Sequence, residues 1–305
     1  MMIKFWGTRG SIPSPGPHTV KYGGNTSCLE LRFGPRGRMA IIDAGTGIRQ
    51  LGKHLLHHED LRNPTRLDIF LSHTHWDHIM GFPFFAPMYM PGVAIRIHGP
   101  ASCESNSLEK ALRGQFASRY FPVSMENLES DIRFVELYEG IFDLGDNILL
   151  ATKYLNHPIR CLGYRFEYDG RSVVTLFDME HAWARSPEGG AGRATRDAPA
   201  HPETGAWRRH DALLEQFYAD ADLVICDAQY TAEEYRAGKS GRGHSAMEDV
   251  VESCRRNGVR RLALTHHDPD RTDEEIDDLA ARICGLDSTG KTEVFFAYEG
   301  MEIVL

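Results

Sequence analysis

The stretch that decides the fold is FLSHTHWDHIMGFPFF, residues 70–85, in which an apolar run is followed at once by metal-binding residue types. Three imidazoles and one carboxylate stand within six positions, at His73, His75, Asp77 and His78. Imidazole and carboxylate groups suit zinc, manganese or iron. Burying such groups without partners would cost ~1–3 kcal/mol each. A metal site is therefore the simplest explanation, and we predict two ions because one tight turn cannot direct all four side chains at one ion.

The composition is that of an ordinary folded protein. The chain has 305 residues, of which 42% are hydrophobic and 25% charged, and its formal net charge is −9. We predict a single domain over residues 1–305. The acidic balance argues against a large nucleic-acid footprint, because Lys and Arg make the phosphate contacts. Six cysteines without a CxxC pair, no secretion signal and no long apolar stretch predict reduced thiols, a cytoplasmic location and no membrane segment.

Apolar runs typical of strands come in groups, with segments of helical spacing between some of them. We predict a helix over residues 46–58, the start of another within residues 79–90, and a closing hairpin formed by EVFFAY and MEIVL. Residues 182–210 have the composition of a loop and are predicted to be a mobile insertion. This order favours an α+β fold with two mixed β-sheets packed face to face and helices outside, a four-layer αββα sandwich.

The HTHWDH segment resembles the HxHxDH signature of the metallo-β-lactamase superfamily. Further residues resemble other marks of that superfamily in the same order, at Asp43, His157, Asp178 and His266. They stand in IIDAGTG, NHPIRCLGYRFEY, VVTLFDMEH and RLALTHHDP, and the LGYRF flank is similar to the tRNase Z and cyclic-phosphodiesterase branch. On chemistry alone His267 is an equally good ligand, and only the tRNase Z-like register favours His266.

The resemblance implies a division of labour around two divalent ions, zinc or alternatively manganese or iron. The first ion would be held by His73, His75 and His157. The second would be held by Asp77, His78 and His266. Asp178 would bridge the ions, which would stand ~3.5–4 Å apart with a hydroxide between them as the nucleophile. Asp43 would orient a histidine ligand through its other ring nitrogen.

One further segment bears on the reaction. Residues 227–250, DAQYTAEEYRAGKSGRGHSAMEDV, are similar to the tRNase Z region whose histidine acts as general acid, which makes His244 the candidate here. A leaving alkoxide needs a proton, and a positioned histidine contributes ~10²–10⁴-fold. The carboxylate that could orient His244 is Asp227, where tRNase Z has Glu. The candidate catalytic residues are therefore His244, Asp77 and Asp43.

Two features beside the cluster have a structural and a functional interpretation. The Gly- and Pro-rich opening loop resembles the first hairpin of this branch, and Arg9, Asn25 and Thr26 could reach the rim of a pocket, although a loop role is favoured. Trp76 lies between candidate ligands and could stack on a substrate, although a packed indole is favoured.

These residues together predict a two-metal hydrolase, and specifically a phosphodiesterase acting on a small or cyclic phosphodiester. A tRNA 3′-end endonuclease stays an alternative, with nucleic acid as a less favoured partner. An ester, thioester or lactone hydrolase is a second alternative, but it has less need of His244. Di-iron redox members of the superfamily would carry a carboxylate where His75 stands, which argues against them. The oligomeric state is left open, with a homodimer among the alternatives.

Overall fold

Two seven-stranded mixed sheets organise the chain in this computed structural model, which describes residues 1–34, 38–58, 65–101, 108–181, 204–286 and 291–305. One sheet belongs to a first unit, Met1–Tyr138 with Tyr298–Leu305, and the other to a second unit, Glu139–Ala297. In the described part of the chain, no helix combines the length and the apolar character needed to cross a bilayer. Two mixed sheets with helices are the elements that the sequence predicted.

The strands, in chain order, are β1 (Met2–Gly7), β2 (Cys28–Arg32), β3 (Met39–Ile42), β4 (Thr65–Phe70), β5 (Val93–Pro100), β6 (Asp131–Leu137), β7 (Gly140–Asp143), β8 (Leu149–Tyr154), β9 (Leu162–Tyr168), β10 (Arg171–Leu176), β11 (Leu223–Asp227), β12 (Arg261–Thr265), β13 (Glu293–Phe296) and β14 (Glu302–Val304). The α-helices are α1 (Gly47–His58), α2 (Trp76–Ile79), α3 (Leu108–Gln115), α4 (Thr204–Tyr218), α5 (Ala232–Glu234), α6 (Met247–Arg256) and α7 (Asp273–Ile283).

The first unit's sheet has the order β14-β1-β2-β3-β4-β5-β6, with β3 to β6 parallel. Its core forms where α1 lies against the sheet. Ile48, Leu51 and Leu55 recur at helical spacing on α1, are fully buried, and share one apolar cluster with Ile69 and Ile95. Each such side chain contributes about 1.5–3 kcal/mol by leaving water. This packing fixes the strand ends from which the site residues project.

The second unit's sheet has the order β13-β12-β11-β10-β9-β8-β7. Strands β10 to β13 are parallel, and β7 to β10 are antiparallel. Strand β11 is buried at every position and β12 at all but its first, as expected for central parallel strands. Because parallel strands end at the same edge, the residues that close β10, β11 and β12 come together there.

The predicted closing hairpin is wrong. Strand β13 pairs in parallel with β12 in the second unit, and β14 pairs antiparallel with β1 in the first, with Met2 opposite Val304. Strand β13 therefore covers the edge of the strand that precedes it in the chain, whereas β14 covers the edge of the first strand, at the other end of the sequence. The apolar pattern identified both strands, but it carried no information about their partners.

Two other predictions differ from the structure, and two elements were missed. No α-helix begins within residues 79–90 as expected: α2 begins earlier, at Trp76, and ends at Ile79, and 3₁₀ turns follow at Phe82–Phe84 and Ala86–Tyr89. Each 3₁₀ turn has a proline in its first residues, and proline lacks the N–H that a continuous helix needs. Helix α4 covers the last residues of the predicted insertion at 182–210, while residues 182–203 lie outside the described residues. The sequence analysis also missed β7 and α5.

Candidate metal centre

The HxHxDH segment forms a buried cluster in the first unit. Strand β4 ends before it, so His73 and His75 lie in the following loop, and α2 carries Asp77 and His78. The His73 ring centroid lies 4.5 Å from that of His75 and 4.3 Å from that of His78. His78 Nε2 lies 3.4 Å from Asp77 Oδ2. All four predicted ligands are thus brought together, and His73 and His78 are fully buried.

Asp43 hydrogen-bonds to Ser72 and His78 and so supports this cluster. Its Oδ1 accepts from the Ser72 backbone N–H at 2.7 Å, and its Oδ2 accepts from the Ser72 hydroxyl at 2.8 Å and from His78 Nδ1 at 2.7 Å. A carboxylate on Nδ1 fixes the tautomer and directs Nε2 outward as a ligand atom. Asp43 follows β3 directly and has φ = 62°, a left-handed conformation that costs ~1–2 kcal/mol and recurs at functional sites.

Asp77 has a partner that sequence reasoning missed. The Ser11 backbone N–H donates to Asp77 Oδ2 at 2.7 Å, from a residue that also has a left-handed φ of 65°. The opening loop thereby touches a candidate ligand through its backbone. Arg9 and Thr26 are fully buried, and Asn25 donates from Nδ2 to Glu299, so these side chains hold the loop together.

Trp76 is more exposed than the sequence analysis predicted. The indole was expected to pack in the interior, but its residue is 66% exposed. It stands at the start of α2, between the buried candidate ligands His73 and His78. An exposed aromatic face at this position is available to a ligand.

The second unit presents three candidates at the ends of separate strands. His157 follows β8, Asp178 follows β10, and His266 directly follows β12. The two Asp178 oxygens face different rings: Oδ1 lies 3.1 Å from His266 Nε2, and Oδ2 lies 3.8 Å from His157 Nε2. Asp178 and His266 both have left-handed φ values, 52° and 59°. A buried carboxylate between two imidazoles, held by a strained backbone, has the arrangement expected of a shared ligand.

The neighbouring histidines at 266 and 267 have different surroundings. His266 Nδ1 lies 3.7 Å from Asp227 Oδ1 while its Nε2 faces Asp178. His267 Nε2 instead lies 2.8 Å from the Ala297 carbonyl oxygen, and its ring stacks on Phe296 at a centroid distance of 5.8 Å. The geometry therefore favours His266 as the ligand and gives His267 a packing role.

His244 forms a carboxylate–imidazole pair with Asp227. The distance from His244 Nδ1 to Asp227 Oδ2 is 2.6 Å, so Asp is long enough here despite the Glu of tRNase Z. The His244 ring stacks on His266 at 5.2 Å and meets Tyr230 edge-on at 5.9 Å. Burial and the nearby Asp227 raise the pKa of Tyr230 to about 12, so its hydroxyl stays protonated at neutral pH.

The candidate ligands of the first unit (His73, His75, Asp77 and His78) and those of the second unit (His157, Asp178 and His266) are called the two half-sites here, and the donor set of each fits divalent metal. Imidazole nitrogens and carboxylate oxygens are zinc's usual non-sulfur ligands. In the second unit, ligand atoms of four buried or half-buried residues lie within 4.8 Å of one another, at Asp178, Asp227, His244 and His266. Two carboxylates this close repel each other unless positive charge lies between or beside them. A bound divalent metal would supply that charge.

Residues 38–186 match the model of the Beta-lactamase superfamily domain, and this span contains Asp43, the HxHxDH cluster, His157 and Asp178. The match confirms the predicted resemblance: the chain is a hydrolase of the metallo-β-lactamase fold. A Ribonuclease BN of Enterobacter sp. is 28% identical over 292 residues, covering 87% of this chain and 88% of that protein. A Ribonuclease Z of Geobacillus kaustophilus is 25% identical over 293 residues, with the same coverage of 87% and 88%.

Solved structures agree on the fold. The metallo-β-lactamase fold protein YhfI from Bacillus subtilis aligns with a TM-score of 0.63 at 14% identity, over 99% of this chain and 98% of that one. The short form of human tRNase Z aligns with a TM-score of 0.62 at 19% identity, over 100% and 99%. The predicted fold class is therefore confirmed.

Proposed function

We propose that the protein is a two-metal phosphodiester hydrolase with the ligand set that the superfamily resemblance implies. The first ion would be held by His73, His75 and His157. The second would be held by Asp77, His78 and His266. Asp178 would contact both ions, and zinc is favoured by the mixture of imidazole and carboxylate donors. When bound, the metal supplies Lewis-acid charge for the phosphate oxygens and an activated water.

The observation that carries the proposal is the His244–Asp227 pair, 2.6 Å apart beside His266. Asp227 accepts a hydrogen bond from His244 Nδ1–H, and this bond orients the imidazole so that Nε2 faces the reacting group. In its imidazolium form, which the Asp227 carboxylate stabilises, His244 can then transfer its Nε2 proton to the leaving oxygen of a phosphodiester and become neutral. Cleavage of an activated ester, thioester or lactone has less need of such an acid, so the pair favours phosphodiesters.

A small or cyclic phosphodiester is the first substrate class. The net charge of −9 argues against an extensive phosphate-binding surface, because repulsion weakens long nucleic-acid contacts. The scissile phosphate itself would be neutralised locally by the metal. A compact substrate needs no further basic surface.

RNA is the second candidate class, and two observations favour it. The relatives that span 87% of this chain include proteins named Ribonuclease BN and Ribonuclease Z. Lys239 and Arg242 stand a few residues before His244, and among the described residues neither forms an ion pair. Lys239 Nζ lies 5.0 Å from the ring centroid of Tyr230, which also contacts His244. These cations could bind a phosphate next to the scissile one.

The His244→Ala variant tests the proposal. It should keep its fold and metal, but kcat on a 2′,3′-cyclic nucleotide should fall by ~10²–10⁴-fold. On bis-p-nitrophenyl phosphate, whose leaving group barely needs a proton, the loss should be much smaller. Equal losses on both substrates, or loss of metal, would remove His244 as general acid. Loss of metal would instead make it a ligand, a role that its position near Asp178 permits.

The substrate classes can be separated with Lys239→Ala and Arg242→Ala. If RNA is the substrate, these variants should raise KM for precursor tRNA and weaken its salt dependence, with cyclic-nucleotide hydrolysis unchanged. No effect on RNA cleavage would leave the small phosphodiester as the supported class.

A further inference from the structure

A fully buried carboxylate stands two residues after Asp178, at Glu180, and the sequence analysis gave it no role. Its Oε1 accepts hydrogen bonds from the Tyr235 hydroxyl at 2.5 Å and from the Gly241 backbone N–H at 2.7 Å. Its Oε2 accepts from the Gly243 backbone N–H at 2.8 Å. A buried charge must be compensated, and among the described residues one side chain and two main-chain N–H groups donate to it.

The segment that Glu180 holds has little structure of its own. Residues 235–239 form one π-helical turn, and Gly238, Gly241 and Gly243 have left-handed φ values of 128°, 84° and 87°. Arg236, Gly238, Gly241 and Arg242 are exposed, so few apolar contacts order this stretch. Glycine-rich chain loses much entropy on ordering, and an anchor is needed to hold it in one conformation.

The anchored end of the segment touches two site residues. The Gly243 carbonyl oxygen lies 3.1 Å from His157 Nδ1, and a Cβ at Gly243 would lie only 2.4 Å from that nitrogen. The next residue is His244, whose ring pairs with Asp227. Gly243 is therefore packed between a candidate ligand and the candidate acid, and its N–H is the group that Glu180 holds.

We infer that Glu180 is a positioning residue: by binding the Gly241 and Gly243 amides, it sets His244 for proton transfer and His157 for metal binding. This inference rests on the proposed role of His244. A carboxylate suits the task because both of its oxygens accept, so two amides pointing at it are satisfied together. Glutamine offers one acceptor oxygen and an NH₂ group, and one of the two amides would then face a donor.

The first test needs neither metal nor substrate. Amide hydrogen exchange of the metal-free protein should show the Gly241 and Gly243 amides protected in the wild type and exposed in Glu180→Gln. Tyr235→Phe removes only the hydroxyl bond and should keep both amides protected. Asp222→Asn is the matched control, because Asp222 also accepts a backbone N–H in this unit, from Ser172. Unprotected wild-type amides overturn the inference even if the variant does not fold.

The second test compares leaving groups. In Glu180→Gln, kcat on the 2′,3′-cyclic nucleotide should fall by about 10–100-fold, since misplacing a catalytic group by ~1 Å can cost ~10²-fold. The loss on bis-p-nitrophenyl phosphate should be much smaller, and Asp222→Asn should lower neither rate selectively. If His244→Ala shows leaving-group dependence and Glu180→Gln does not, the positioning role is wrong. If His244→Ala shows none, the proposed acid has failed instead.

Discussion

The two half-sites contrast in how their residues are placed along the chain. In the first unit, four candidate ligands stand within six positions after one strand. In the second unit, the three candidates His157, Asp178 and His266 follow three strands, β8, β10 and β12. The first half-site is thus a local property of one turn, whereas the second exists only because the sheet aligns the ends of distant strands.

In both half-sites, a hydrogen bond to Nδ1 fixes the orientation of a candidate histidine ligand. His78 Nδ1 faces Asp43, His157 Nδ1 faces the Gly243 carbonyl, and in each case an oxygen fixes the ring so that Nε2 points outward. The difference lies in what holds that oxygen. Asp43 is held by the adjoining loop through Ser72, while Gly243 is held by Glu180. The dispersed half-site should therefore be the more sensitive to change.

The largest effect is expected at Asp178, the proposed shared ligand. Asp178→Asn removes the charge but keeps a residue that tolerates φ = 52°. We expect both ions to be lost and activity to fall by about 10³-fold or more, because the metal clamp contributes several kcal/mol. Elemental analysis and kcat measure this. Asp169→Asn is the matched control, an exposed turn aspartate with the same φ of 52°. Survival of one ion with activity would contradict the shared role.

A smaller effect, the loss of one ion, is expected at His266. His266→Asn should lower metal occupancy at the second site, while His267→Asn should leave it unchanged, since His267 bonds to Ala297. His267→Asn should instead cost about 1–3 kcal/mol of stability, the penalty for a buried carbonyl left without its donor. Metal content and thermal unfolding separate the two outcomes. The reverse pattern would show that the tRNase Z-like register is off by one.

The mildest change is expected at Asp43 in the local half-site. Asn is compatible with φ = 62°, and Asp43→Asn can still hydrogen-bond to Ser72. However, it has only one acceptor oxygen where the carboxylate has two, and its NH₂ group cannot accept a hydrogen bond. Metal affinity should fall by about 10–100-fold, as for other groups that orient ligands. Competition with a chelator measures the affinity. Unchanged affinity would mean that the HxHxDH turn needs no support from β3.

The local half-site could be predicted from the sequence because its ligands are neighbours. HxHxDH after an apolar run needs no knowledge of the sheet, whereas Asp43, which supports it from the end of β3, was proposed only through the superfamily resemblance. His157, Asp178 and His266 were found only through the order and flanks that the superfamily resemblance supplied. Taken one at a time, each could equally be a turn or strand-end residue.

What the sequence could not predict depends on contacts between distant segments. The Ser11 amide reaches Asp77 across 66 residues, and the Gly243 amide reaches Glu180 across 63. Backbone donors have no sequence signature, so neither contact could be foreseen. The same limit explains the false closing hairpin, because the pattern of β13 and β14 marks them as strands but does not say which edge each one joins.

The central claim, that the proposed ligands bind a pair of metal ions with Asp178 as the shared ligand, is tested most directly by anomalous diffraction from crystals of the zinc-reconstituted protein. We predict two zinc peaks, one contacted by His73, His75 and His157 and the other by Asp77, His78 and His266. Asp178 should touch both peaks. A single peak, or zinc bound by the HxHxDH residues with no ligand from the second unit, would contradict the claim.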